Sequence, residues 1–298
     1  MINRTSTIKR TRRTKAQVEQ LDCQIVEALK DDHPQSVRHV FYRMTDPRLP
    51  EPVEKSERGY RQVQNRVKIL RRDGRIPYGW ISDSTRTGYH VDTFTNAADF
   101  IRSQARYYRA DIWRDSEWHV EVWTESRSIA GVLLDTCQDL AVSLYPCGGF
   151  TSISLAYQAA ENINWVHQET GRTPVVIYVG DYDPAGVIID KSLKAELQEH
   201  LDCELGFVRL AVTENQITRF DLPTRPRKKS DKRSKHIKYA VEAEALPAHI
   251  LRAMVRNTVE AYLPSHALEV MRVAEESEQS FLLNLADQIE QGGQHHER

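Results

Sequence analysis

The first third of the chain places hydrophobic residues at the three- and four-residue intervals of amphipathic helices. A capping-box sequence formed by Thr14 and Gln17 predicts the start of the first helix. Its apolar face carries Val18, Leu21, Ile25, Val26 and Leu29. Two further helices are predicted around residues 37–44 and 60–72. The third helix ends in two arginines, and Gly74 just beyond them is typical of a helix C-terminus.

Residues 75–81 have the pattern of a strand, and the sequence R-T-G-Y at residues 86–89 predicts a turn into a second strand. Three helices followed by a small hairpin is the order of a winged helix-turn-helix domain. We therefore predict such a DNA-binding domain over residues 14–95. The side chains of the third helix predicted to face a DNA groove are Arg61, Asn65, Arg66, Lys68, Arg71 and Arg72. A basic but merely solvated helix face is the alternative.

A linking helix is predicted within residues 96–116, and strands then alternate with helices. Strands are expected at residues 119–124, 142–145, 175–180 and 205–212. Helices are expected at residues 128–139, 152–167 and 185–200, with two more near 247–262 and 266–290. This alternation indicates an α/β domain with a mostly parallel sheet flanked by helices. We place that domain at residues 117–262, before a C-terminal helix and tail at 263–298.

Three carboxylates follow two of the predicted strands. Glu125 comes after the first strand, and Asp181 and Asp183 come after the third. If the third strand persisted through both aspartates, their side chains would point the same way. Because α/β sheets place their chemistry at the carboxyl ends of their strands, we expect all three to converge there. Such a cluster costs about 4 kcal/mol per pair at 4 Å near a surface, which a divalent cation would offset.

The carboxylates and a neighbouring glycine pair indicate that this edge of the predicted sheet would bind a divalent metal ion and a phosphate group. Carboxylate oxygens favour Mg²⁺ or Mn²⁺. Gly148 and Gly149, in the turn after the second strand, would let the backbone approach a phosphate. Aspartates that only cap helices are the alternative reading of the D-x-D sequence, and it weakens once Glu125 and the glycine turn are included.

Charge is distributed unevenly along a chain of 298 residues whose formal net charge is −1. Residues 1–13 form a basic, flexible N-terminus, and a basic loop is expected at residues 222–238. The loop includes Arg227, Lys228 and Lys229, which would contact DNA or would simply be solvated. Local basic segments on a near-neutral chain fit a phosphate-backbone partner.

Two features point to the cytoplasm, or to the nucleoid if the source is prokaryotic. Cys23, Cys137, Cys147 and Cys203 lack C-x-x-C spacing and are interpreted as reduced thiols. No apolar run is long enough to span a bilayer, so no membrane association is expected.

The glutamate after strand one, the glycine turn after strand two and D-Y-D-P-A-G after strand three together resemble a Toprim domain. Among Toprim proteins, the chain is most similar to the A subunit of topoisomerase VI and the related meiotic double-strand-break protein. That family places a winged-helix domain before the Toprim domain. Its Arg-x-x-aromatic-Tyr motif is matched by Arg38, Phe41 and Tyr42. Residues 241–246 also resemble an acidic and apolar strand of the family.

The resemblance implies metal-dependent cleavage of double-stranded DNA. Tyr42 would attack a phosphodiester and form a phosphotyrosyl link, assisted by Arg38. Glu125, Asp181 and Asp183 would hold Mg²⁺ or Mn²⁺. In the family the tyrosine and the metal site that act together come from different subunits, which implies a homodimer. No ATPase module is recognisable, so a separate ATPase or regulatory subunit is implied.

Several alternatives remain open at this stage. The family usually has a lysine soon after the glutamate, whereas Ser126 and Arg127 follow here. Some Toprim nucleases are thought to cut by metal-assisted hydrolysis without a covalent tyrosine. The chain could also be a DNA-binding subunit that needs a partner for activity, or could act on RNA. Glu244 could be an auxiliary ligand, although a solvent-facing strand residue is the simpler reading.

Overall fold

A computed structural model describes residues 13–82, 91–148, 153–226 and 237–294. The chain divides into two compact units. The first comprises Met1–Asp83 and Glu244–His249, and the second comprises Ser84–Ala243 and Ile250–Arg298.

Three helices build the first unit: α1 (Lys15–Asp31), α2 (Val37–Met44) and α3 (Glu57–Arg72). Each begins at a capping hydroxyl, and the predicted capping box of Thr14 and Gln17 is present. The apolar faces of the three helices meet in one core. Its fully buried members include Leu21, Ile25, Leu29, Val40, Val63 and Leu70.

The predicted strand at residues 75–81 is wrong. The segment contains a short 3₁₀ helix, Tyr78–Trp80, and only Ile81 forms a bridge, which is parallel to Gln35. Pro77 lacks the N–H that a strand ladder needs, and Gly79 weakens a strand further. The predicted turn at residues 86–89 lies outside the described residues. The three helices are therefore observed, whereas a winged-helix architecture stays a prediction.

A buried ion pair joins α1 to α3. Asp22 is 1% exposed. Arg66 donates from Nε to Oδ1 of Asp22 at 2.6 Å and from Nη2 to Oδ2. These hydrogen bonds raise the pKa of Arg66 above its usual value. Arg66 is therefore a structural residue of the first unit, which corrects its predicted place in a groove-facing set.

The second unit contains a four-stranded parallel sheet whose strands are β1 (Trp118–Thr124), β2 (Ser143–Pro146), β3 (Thr173–Val179) and β4 (Gly206–Ala211). Their order across the sheet is β2-β1-β3-β4. The connecting helices are α5 (Arg127–Asp139), α6 (Ile153–Thr170) and α7 (Gly186–His200). All four strands and the helices between them lie where the sequence predicts, so the α/β class is confirmed. The core strand β3 is buried from Pro174 through Val179.

Shorter elements and the remaining helices complete the second unit. The helices are α4 (Ala97–Ala105), α8 (Glu214–Arg219), α9 (Ala248–Glu260) and α10 (Ala267–Gln294). Strands β5 (Arg225–Pro226) and β6 (Tyr239–Ala240) pair antiparallel. Helix α4 packs against α10, with Arg102 bonded to Asp287 and Glu290. None of the helices in the described ranges is long and apolar enough to cross a membrane.

Residues 241–246 do not form the predicted acidic and apolar strand. Val241 makes a single antiparallel bridge to Tyr182, and a 3₁₀ helix follows at Ala243–Ala245. The carboxylate of Glu244 is not solvent-facing, since the residue is only 7% exposed. The alternation of acidic and apolar residues is typical of a half-buried strand, but residues 241–246 are all buried.

Replacing Arg66 by alanine should destabilise the first unit. The buried carboxylate of Asp22 would lose both short hydrogen bonds, leaving only the more distant Arg75 at 3.7 Å. We expect a loss of about 3 kcal/mol in the free energy of unfolding, measured by urea denaturation. Lys68→Ala is the matched control on the same helix, because Lys68 is exposed. An equal effect of the two substitutions would contradict the structural role of Arg66.

Candidate functional site

Parallel pairing brings Glu125 beside Asp181. The register of β1 and β3 ends at the pair Thr124 and Val179, and the Glu125 N–H donates to the Val179 carbonyl at 2.9 Å. Two residues beyond Val179, the Asp181 N–H donates to the Glu125 carboxylate oxygen Oε2 at 2.9 Å. Two residues 56 positions apart in the sequence therefore meet at one sheet edge.

The two aspartates bind different backbone segments. Strand β3 ends at Val179, so the condition that would have aligned their side chains is not met. Oδ1 of Asp181 accepts the N–H of Ala243 at 2.9 Å. Oδ1 of Asp183 accepts the N–H groups of Ala185 and Gly186 at 2.9 and 2.7 Å, at the start of α7. Asp183 is thus a helix cap as well as a candidate ligand.

The three carboxylates lie at one sheet edge, but their atoms are not gathered into a coordination shell. Across the described ranges, no group of three or more His, Cys, Asp or Glu side chains is arranged to hold a metal ion. Glu125, Asp181 and Asp183 are each partly exposed, and each has one oxygen engaged by backbone N–H groups. The donor set is the all-oxygen type that Mg²⁺ and Mn²⁺ take.

Gly180 and Tyr178 line the space next to Glu125. A Cβ on Gly180 would lie 2.6 Å from the Tyr178 hydroxyl and 2.8 Å from Oε2 of Glu125. The Tyr178 side chain is fully buried, and its hydroxyl has no hydrogen-bond partner among the described residues. Burial, and to a lesser extent the Glu125 carboxylate, raise the pKa of Tyr178. The sequence does not distinguish Tyr178 from the other members of a buried apolar strand.

The glycine turn begins beside the same edge. Strand β2 pairs with β1 up to Pro146 and Thr124, and the Cys147 N–H donates to the Thr124 carbonyl at 2.8 Å. Gly148 follows with φ +70°, a backbone conformation that favours glycine. Gly149 lies outside the described residues.

Tyr42 and Arg38 lie on α2 in the first unit. The Tyr42 ring is partly buried against the helical core and tilted against Phe41, with 5.3 Å between ring centroids. The Lys55 ammonium lies 5.7 Å from the centroid of the Tyr42 ring. The Arg38 guanidinium lies over the ring of Tyr60 at 4.1 Å.

Helix α3 presents an exposed polar stripe that differs from the predicted set. Arg58, Arg61, Asn65, Lys68 and Arg72 are all exposed, and their three- and four-residue spacing puts them on one helix face. We call these five residues the α3 stripe. Arg66 is bound to Asp22, as described above. Arg71 lies over the Tyr78 ring at 4.5 Å and donates to its carbonyl.

Arg58, which was not in the predicted set, lies in the first turn of α3. Of the predicted basic loop, Arg227, Lys228 and Lys229 lie outside the described residues. Nearby, Arg225 forms an ion pair with Glu242 at 2.8 Å.

Comparisons with protein-family models, curated proteins and solved structures found no significant match to this chain. The resemblance to Toprim proteins therefore stays a prediction from the sequence motifs.

Gly186→Ala should disturb the turn that carries both aspartates. An added Cβ would lie 2.2 Å from the Asp181 carbonyl oxygen, so the backbone would have to move. Alanine gains about 1 kcal/mol of helix propensity over glycine, but overpacking of this kind costs about 1–3 kcal/mol. We expect net destabilisation in urea denaturation. Gly79→Ala is the control, since nothing lies within 4 Å of its added Cβ; an unchanged Gly186→Ala protein would refute the clash.

Proposed function

We propose that this protein is a Mg²⁺- or Mn²⁺-dependent enzyme that cleaves double-stranded DNA, with a winged-helix domain and a Toprim domain. One observation carries the proposal: Glu125 lies against Asp181 at the carboxyl ends of two paired parallel strands, with Asp183 in the same turn. This is the edge where α/β sheets bind substrates and cofactors. The order of the three acidic residues and the glycine turn supports the Toprim assignment.

Glu125, Asp181 and Asp183 would hold the metal ion. When bound, a divalent cation positions a phosphate group and stabilises the negative charge that develops during phosphoryl transfer. The chain's own contribution is to fix the carboxylates. The backbone N–H groups of Asp181, Ala243, Ala185 and Gly186 each hold a carboxylate oxygen, so the three side chains are fixed near the same sheet edge.

Tyr42 is the proposed nucleophile. The phenol would lose its proton to water, its oxygen would bond to phosphorus while the phosphorus–oxygen bond to one DNA strand breaks, and the departing strand oxygen would take a proton from water. A free tyrosine is only about a thousandth phenolate at pH 7, which costs about 4 kcal/mol. Metal-assisted hydrolysis without a covalent tyrosine is the alternative mechanism.

A homodimer acting in the cytoplasm or nucleoid, with a separate ATPase or regulatory subunit, completes the proposal. It follows from the family resemblance, in which two tyrosines and two metal sites act across subunits to break both strands.

Asp183→Asn should abolish cleavage of supercoiled plasmid in Mg²⁺ while leaving the fold intact. Asparagine retains the capping oxygen for Ala185 and Gly186 but removes the charge that a cation requires. Asp183→Ala would be less informative, because the loss of the cap also destabilises α7. Lys191→Gln on α7 is a control of exposed charge. Absence of nicking or linearisation by the wild type at every enzyme concentration would refute the catalytic proposal.

Tyr42→Phe distinguishes the two mechanisms in the same plasmid assay. The covalent route predicts loss of cleavage and loss of protein-linked DNA after denaturation. Retained cleavage would instead establish hydrolysis at the metal site.

A DNA-binding subunit that needs a partner for activity is the second candidate function, and the α3 stripe favours it. Four of its five residues are cationic and exposed, and the fifth, Asn65, has the amide that pairs with adenine in a major groove. RNA as substrate is a further alternative. A duplex RNA competitor of equal length separates it from DNA.

Lys68→Ala should weaken binding to a DNA duplex and reduce the salt dependence of the binding constant by about one counterion. Electrophoretic mobility shifts at several salt concentrations measure both quantities. Glu57→Gln is the control that changes a charge on the same helix without removing a cation. Salt-sensitive binding with no cleavage by the wild type would favour the DNA-binding function, whereas no binding at low salt would remove both candidate functions.

A further inference from the structure

Arg209 donates hydrogen bonds to three backbone carbonyls of the turn that carries Asp181 and Asp183. It lies on β4 directly opposite Tyr178 in the parallel register. Its side chain is only 16% exposed. A lone cation inside an otherwise apolar strand indicates a buried partner, but the sequence does not show which residue that partner is.

Each of the three guanidinium nitrogens of Arg209 donates at least one hydrogen bond. Nε donates to the Val212 carbonyl at 3.2 Å, and Nη1 donates to the Gly186 carbonyl at 3.1 Å. Nη2 donates to the Asp181 carbonyl at 2.6 Å and to the Gly180 carbonyl at the longer distance of 3.5 Å. An arginine has five N–H donors in a fixed planar fork, and no other side chain can reach these acceptors together.

These hydrogen bonds connect the beginning of the turn, at Asp181, to its end, at Gly186. Asp181 is itself a candidate metal ligand. The Gly186 residue is held at its carbonyl by Arg209 and at its N–H by the Asp183 carboxylate. Displacement of Arg209 would therefore release the backbone on both sides of the two aspartates.

Asp190 neutralises the charge of Arg209. It lies on α7 one turn after Gly186, its side chain is 11% exposed, and its Oδ2 accepts from Nη1 of Arg209 at 2.8 Å. A buried arginine without this partner would act as a counter-ion for the nearby carboxylates and would compete with a metal ion. Paired with Asp190, it can order the turn while the edge of the sheet keeps its negative charge.

We propose that Arg209 is the positioning residue that holds Asp181 and Asp183 in place for a divalent cation. This inference rests on the proposed metal site. The residue does not contact the metal or substrate itself; it acts through the backbone of the turn. Residues that orient metal ligands typically change metal affinity 10- to 100-fold when they are replaced.

The test uses the full chain with Arg209→Gln and Arg209→Lys, and Arg172→Gln as the matched control. Arg172 has similar burial, with a side chain 14% exposed, and also pairs with an aspartate, Asp111 at 3.3 Å. It precedes β3, at the end of the strand away from the turn. Melting temperatures establish that each variant is folded, and Arg209→Lys provides a milder change if Arg209→Gln does not fold.

Mn²⁺ binding is measured by the electron paramagnetic resonance signal of the free ion. We expect the dissociation constant for Mn²⁺ to rise about 10- to 100-fold in Arg209→Gln. The rise should be smaller in Arg209→Lys, and Arg172→Gln should leave the constant unchanged. The Mg²⁺ concentration for half-maximal plasmid cleavage should rise in parallel, and excess Mg²⁺ should restore part of the rate. A merely structural role would lower the melting temperature without this metal dependence.

Hydrogen exchange of the backbone amides in residues 181–187 is measured on the same samples and should be faster in Arg209→Gln. If the wild type binds Mn²⁺ and both Arg209 variants bind it with the same affinity, the proposed role of Arg209 is overturned and the proposed metal site is not. Absence of Mn²⁺ binding by the wild type would overturn the proposed metal site. Unchanged hydrogen exchange would overturn the positioning role in either case.

Discussion

Parallel pairing between β1 and β3 is the interaction on which the candidate site depends. Its register, which ends at Thr124 and Val179, puts Glu125 next to the turn that begins at Gly180. The Glu125 carboxylate then accepts the Asp181 N–H, so a side chain of one strand end is bound to the backbone after another. A shift of one residue would turn Glu125 to the opposite face of the sheet and separate the carboxylates.

The turn after β3 is ordered by polar contacts because its backbone lies outside the regular ladder. Buried carbonyl and N–H groups need partners, and pairing with the neighbouring strand supplies them only as far as Gly180, which bonds to Ala211 and Val212. Beyond Gly180, Glu125 accepts the Asp181 N–H, Arg209 donates to the Asp181 carbonyl, and the Val241 backbone pairs with that of Tyr182. The Ala243 N–H holds the Asp181 carboxylate. The same contacts that satisfy the turn also immobilise the candidate ligands, so stability and the proposed chemistry use one set of hydrogen bonds.

The basic residues of the first unit divide into two groups with different roles. Arg66 is bound to the buried Asp22, and Arg71 covers Tyr78. The α3 stripe, by contrast, remains exposed and is the surface that suits a phosphate backbone. The number of basic residues on a helix therefore exceeds the number that can contact a nucleic acid, because some arginines are paired within the protein.

Local pattern was sufficient to predict the three helices of the first unit, the four parallel strands with their connecting helices, and the carboxyl-end placement of Glu125 and Asp181, because hydrophobic periodicity and capping residues act over a few neighbours. It missed β5, which lies in a segment expected to be a loop. It failed at residues 75–81 and 241–246, where proline, glycine and burial on all sides override alternation. It also could not separate Arg66 from Lys68, or reveal Arg209 and Asp190, since each depends on a partner distant in the chain. Tertiary structure alone decided which charges are buried in pairs, because burial of an unpaired charge is too costly to persist.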